Sequence, residues 1–107
     1  SPETFVASLA TNQAHVHGLA PRKGLIVPGA DADIVVWDPE LELTITLANR
    51  HNGNDYTPYE GQRLVGGPAR VYVRGELAFH DGEVLAPPGS GRFVPRAREA
   101  PQHVVAA

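Results

Sequence analysis

His15-Val16-His17 is the first arrangement in this chain that invites a chemical reading. Two histidines one residue apart share a metal when both project from one face of a strand. Here the surrounding pattern is helical, and on a helix positions i and i+2 do not face each other. Gly18 follows directly, as at a helix C-terminus, where a histidine meets exposed carbonyls favourably. The structural reading therefore outweighs the metal one. His51 and Asp55 form a second candidate, a base with an orienting carboxylate, inside the polar stretch His51-Asn52-Gly53-Asn54-Asp55-Tyr56-Thr57-Pro58-Tyr59-Glu60-Gly61. One His and one Asp complete neither a triad nor a metal shell. Such a stretch more simply satisfies its own backbone groups.

Asp31 and Asp33 flank Ala32 just before an apolar run. They offer two carboxylates for acid–base work, yet at this spacing they are expected to cap a turn and keep a sheet edge soluble. Gly66-Gly67-Pro68 and Gly89-Ser90-Gly91 do not sit between a strand and a helix as a phosphate cradle requires, so both read as turns. Arg92, Arg96 and Arg98 read as solvated charges on a loose tail. No catalytic, cofactor-binding or metal-ligating residue is assigned on these grounds.

The elements that must position these residues follow from local pattern. Ser1 and Pro2 suit a helix start, and Phe5, Val6, Leu9 and Ala10 recur at helical spacing. Thr11-Asn12 is expected to cap a second short helix that Gly18 ends. From Ile34 the period becomes that of strands. Ile34-Val35-Val36-Trp37 is apolar on both faces and reads as a buried central strand, closed by Asp38-Pro39. Trp37 is accordingly expected in the core. Leu41 to Leu47 alternates strictly, as a strand with one wet face does. Residues 48–61 have no clear period and read as an irregular excursion with one helical turn. Arg63-Leu64-Val65 and Val71-Tyr72-Val73 are short strands; Arg74-Gly75 and Asp81-Gly82 are turns, the latter a tight hairpin. From Ala86 the chain becomes a Pro-, Gly- and Ser-rich arm.

Composition narrows the function classes. A chain of 107 residues holds one small domain and is too short for a complete (β/α)₈ barrel. Net charge is −3 with nine Lys and Arg, which argues against nucleic acid or an anionic membrane as partner. There is no cysteine, which removes disulfides and thiolate chemistry and is compatible with a reducing cytoplasm. No apolar run approaches the ~20 residues of a membrane span, and no secretory signal is visible at Ser1. The absent initiator Met points to an upstream portion that has been removed.

The order of the motifs says more than any one of them. Asn12-Gln13-Ala14, Gly18-Leu19, Pro21-Arg22-Lys23-Gly24 and Gly29-Ala30-Asp31-Ala32-Asp33-Ile34-Val35 together resemble the junction between barrel and small β domain in metal-dependent amidohydrolases. His51 with Asp55-Tyr56-Thr57-Pro58-Tyr59-Glu60-Gly61, then Gly67-Pro68 and Val73-Arg74-Gly75, resembles the hydantoinase and dihydropyrimidinase branch. Gly89-Ser90-Gly91-Arg92-Phe93-Val94-Pro95-Arg96 is similar to that branch as well.

This resemblance implies a parent protein with a TIM barrel, a β-sandwich and a binuclear metal centre, usually zinc, bridged by a carboxylated lysine. It implies hydrolysis of cyclic amides or ureides by a metal-activated hydroxide. The family's metal ligands, catalytic aspartate and main substrate contacts lie ahead of the stretch matched here, so none is carried over to this chain. His15 and His17 fall at the far C-terminal end of the pattern and do not align with its opening His-x-His. The expected fold is mainly β, the C-terminal half of the small β-sandwich preceded by a helical pair. Its parts are terminal barrel helices over 1–22, the β domain over 23–85 with its irregular insert at 48–61, and an extended arm over 86–107. The expected role is a scaffold and assembly segment of a cytoplasmic cyclic amidohydrolase, without a cofactor of its own. Its expected partners are the upstream part of the same protein and further copies, joined through an exposed strand edge and the arm. Allantoinase or dihydroorotase, a non-catalytic hydantoinase-like protein that binds protein partners, and an autonomous β module are the alternatives.

Overall fold

Ser1 starts the first helix as its residue type predicts: its hydroxyl accepts from the Thr4 N–H at 3.4 Å, and Pro2 occupies the first turn. The computed structural model describes residues 1–96; Arg98 and the end of the arm lie outside them. α1 (Pro2–Val6) passes into a π-helical turn (Ala7–Thr11) and then α2 (Asn12–Val16). Thr11 does not cap α2. Its backbone is helical, and its hydroxyl donates to the Gly24 carbonyl at 2.9 Å instead. The helix ends as Gly18 predicts. Gly18 takes φ 67°, its N–H donates to His15 O, and the Leu19 N–H reaches back to Ala14 O, the bond pair of a Schellman motif.

By its internal contacts the chain divides into two units, Ile34–Ala86 and the segments on either side of it. In the flanking unit, Pro28 and Gly29 make a turn closed by the Ala30 N–H on Val27 O, with Gly29 at φ 90°. The other unit is a four-stranded antiparallel sheet in sequential order: β1 (Ile34–Thr44), β2 (Arg63–Val73), β3 (Glu76–His80) and β4 (Glu83–Val84). A 3₁₀ turn (Leu47–Asn49) lies in the β1–β2 connection, where Thr46 and Asn49 cap each other reciprocally. Arg74-Gly75 and Asp81-Gly82 form the two tight hairpin turns with φ of 51°, 82°, 48° and 84°.

Three expectations for the sheet need correction. Pro39 does not end β1, which runs on to Thr44. The ladder breaks between the Asp38–Gly67 and Glu42–Val65 pairs, so Pro39 sits where no N–H is demanded, and the Asp38 carboxylate accepts from the Glu40 N–H at 2.9 Å. Gly66-Gly67-Pro68 is no turn; it lies inside β2, with Pro68 opposite Trp37 at a register shift. Its glycines make room. A Cβ on Gly66 would stand 3.1 Å from Trp37 Nε1, and one on Gly67 3.0 Å from Leu41 Cδ2. Finally, the Ile34–Trp37 stretch is not a buried central strand. β1 is an outer strand of this sheet, and Trp37 is 49% exposed.

Among the described residues the buried apolar side chains are Ala7, Ala14 and Ile45. Large apolar groups such as Val35, Val36, Leu64, Val65 and Val84 on the sheet, and Phe5, Val6 and Leu9 on the helix, stay exposed. The strands pair along their shared edges, but these large apolar groups stay in water.

Candidate functional site

Among the described residues, a cluster of four charged side chains is built by the turn at Pro28-Gly29. It folds the segment from Arg22 back on itself, and the Asp31 N–H donates to Arg22 O at 2.9 Å. This brings the acidic pair against the basic one. Arg22 Nε donates to Asp31 Oδ2 at 2.9 Å, Lys23 Nζ reaches the same oxygen at 2.8 Å, and Lys23 also pairs with Asp33. Lys23 and then Arg22 hold the Asp31 carboxyl below the usual carboxylate range. Asp31, with help from Asp33, holds the Lys23 ammonium above its usual range. Four charges that neutralise one another make a clasp, and neither carboxylate is left as a general base. The expected turn-capping role for Asp31 and Asp33 gives way to this one. Sequence reasoning missed Arg22 and Lys23 as their partners; the intervening Pro28-Gly29 turn was the available signal.

His51 is not paired with Asp55 in a base-and-orienter geometry. Its Nε2–H donates to the Gly82 carbonyl at 3.1 Å, and its ring stands edge-on to Phe79 at 6.1 Å between centroids. The side chain ties the irregular connection to the β3–β4 hairpin. Further along that connection, the Glu60 carboxylate accepts from the Leu47 N–H at 2.8 Å. These groups satisfy backbone and neighbouring ring surfaces, as irregular segments require.

His15 lies within α2 and His17 is its C-cap, so the helix separates them as its geometry dictates. Gly89 sits at positive φ in a turn closed by the Ser90 N–H on Pro87 O. Arg92 and Arg96 are exposed. Among the described residues no three His, Asp, Glu or Cys side chains converge as a metal shell needs. A zinc ion therefore does not fit these residues. No helix among them is long and apolar enough to cross a membrane. What the geometry offers is a charged clasp, a tied hairpin and exposed apolar faces.

This arrangement of elements has known counterparts. It is similar to a solved D-hydantoinase with a TM-score of 0.85 at 43% identity, covering 90% of this chain and 21% of that one. A dihydropyrimidinase from Brevibacillus agri superposes equally well, with a TM-score of 0.85 at 36% identity over 91% of this chain and 21% of its own. In sequence the chain is 43% identical over 94 residues to a D-hydantoinase of Ralstonia pickettii, which is 88% of this chain and 21% of that relative. It is also 43% identical over 91 residues to dihydropyrimidinase-related protein 5 of Mus musculus, 85% of this chain and 16% of that one. The chain thus spans about a fifth of the length of the curated relatives it matches. The model of the amidohydrolase family covers residues 1–78, the helix, the charged clasp and most of the sheet, and the chain belongs to that family.

Proposed function

We propose that this chain is the C-terminal scaffold and assembly segment of a metal-dependent hydrolase that opens cyclic amides or ureides, of hydantoinase or dihydropyrimidinase type. The observation that carries the reading is the 0.85 TM-score to a D-hydantoinase over 90% of this chain. In such a hydrolase a zinc centre supplies hydroxide near neutral pH. The chain's own residues supply rigidity. The clasp braces residues 22–33, His51 fixes the hairpin, and the exposed faces around Phe5 and Val65 pack against the rest of the parent or a second copy. The setting proposed is the cytoplasm. The similarity to dihydropyrimidinase-related protein 5 favours a second reading, a hydantoinase-like protein that binds protein partners. Allantoinase or dihydroorotase activity is a variant of the first.

Zinc-loaded parent protein and the 107-residue chain alone, assayed for ring opening of hydantoin, dihydrouracil, allantoin and dihydroorotate, test this. The parent should open hydantoin or dihydrouracil and the isolated chain neither. A parent inactive on all four favours the protein-binding reading, and turnover by the isolated chain refutes the scaffold assignment. Light scattering on the isolated chain should show association that rises with concentration; a monomer throughout refutes the assembly role.

A further inference from the structure

The chain carries four asparagines, at 12, 49, 52 and 54, and one of them precedes a glycine. Asn52-Gly53 lies in the irregular connection, with both residues exposed. Among the described residues, no hydrogen bond engages the Asn52 carboxamide or the Gly53 N–H. Asn49, only three positions earlier, is the opposite case. Its Nδ2 donates to Thr44 O at 2.7 Å, its Oδ1 accepts from the Thr46 N–H at 2.9 Å, and a bulky Arg50 follows. Asn12 is held in α2, and Asn54 precedes Asp55, which carries the Cβ that Gly53 lacks.

We propose that Asn52 is a site of spontaneous covalent modification, converting to aspartate and isoaspartate with water as the only co-reactant. Gly53 has no Cβ to obstruct its main-chain nitrogen. That nitrogen gives its proton to solvent base and attacks Asn52 Cγ. The new N–Cγ bond closes a five-membered succinimide, the Cγ–Nδ2 bond breaks, and the nitrogen leaves as ammonia. Water then opens the ring at either carbonyl. One opening restores the normal main chain as aspartate; the other routes the main chain through the former side chain as isoaspartate. Oxidation states are unchanged throughout. Both products add a negative charge beside His51, and isoaspartate also lengthens the backbone next to the residue that ties this segment to Gly82.

The test is peptide mapping by mass spectrometry after incubating the full chain at mildly alkaline pH, with fragmentation that separates isoaspartate from aspartate. Asn52 should convert about tenfold faster than Asn12, Asn49 or Asn54, since thermolabile asparagine reacts where its carboxamide and following N–H are free. Gly53→Ala is a benign control, because its added Cβ meets nothing within 4 Å. It should slow the reaction at Asn52 by about tenfold through the obstruction of that nitrogen alone. Equal rates at all four asparagines, or an Asn52 rate unchanged by Gly53→Ala, would overturn the proposal.

Discussion

Replacing Gly24 by alanine should unseat the segment after the helix, and the size of the effect can be worked from two distances. Gly24 sits at φ +81°, and a Cβ there would lie 2.5 Å from Ala14 Cβ and 2.8 Å from the Ala10 carbonyl oxygen. Neither atom can swing aside. Ala14 is 5% exposed on α2, and the Ala10 oxygen belongs to the π-helical turn. Left-handed backbone costs an L-residue about 1–2 kcal/mol, and forcing a methyl into filled space about 1–3 kcal/mol. Displacement would also break the Thr11 hydroxyl bond to Gly24 O, worth about 0.5–1.5 kcal/mol. Against this, alanine restricts the unfolded chain and returns about 0.4–1 kcal/mol. The net loss is about 1.5–6 kcal/mol. Gly29→Ala is the matched control, since Gly29 also has positive φ, +90°, but its Cβ would meet nothing within 4 Å. It should lose only about 1 kcal/mol. Urea titrations followed by far-ultraviolet circular dichroism compare the two at equal m-value. If the variants fall within about 0.5 kcal/mol of each other, the docking of Gly24 on the helix is wrong.

Trp37→Ala should cost about 1–2 kcal/mol rather than a core tryptophan's 3–5, because roughly half the indole stays in water; acrylamide should quench its fluorescence readily, and a shielded indole would refute this. The clasp sets a pH window. Asp31 is held low, so its stabilisation is present above the unfolded carboxylate value of about 3.9 and lost as pH falls through the folded one. Lys23 is held high, so its share is full below about 10.4 and lost as pH rises through its folded value. Lys23→Met should therefore flatten the acid limb of a melting-temperature profile, and added salt should shrink the difference; parallel acid limbs for the two proteins would refute the clasp.

How far the sequence foretold this structure depends on the range of the forces at each point. Ser1-Pro2, Gly18, Arg74-Gly75 and Asp81-Gly82 behave as expected because caps and tight turns are decided within a few residues. Pro39 and Gly66-Gly67-Pro68 misled for the opposite reason. As punctuation they signal breaks, but here they serve two irregular points of one β1–β2 pairing, where Trp37, Leu41 and Leu43 crowd the β2 backbone. Trp37 misled too, since a strand apolar on both faces declares what it can bury and not what is present to cover it. The site was legible only as residue types. Asp31 and Asp33 were conspicuous, yet their meaning lay in Arg22 and Lys23 across the turn, and His51 found its partner at Gly82 on a distant hairpin.

The break in β1 has a bearing on polymerisation. An outer strand as long as Ile34–Thr44 is a template on which foreign strands can add without limit. Only the stretch Ile34–Val36 has the apolar character and unbroken register that such growth exploits. Beyond it Asp38 turns back on its own backbone, Pro39 has no N–H to offer, and Glu40 and Glu42 would set carboxylate against carboxylate in any like-with-like stack. The strand thus leaves a short stretch open to strand addition at one end and opposes it at the other. Replacing Pro39, Glu40 and Glu42 with β-branched residues would convert the edge into a seed.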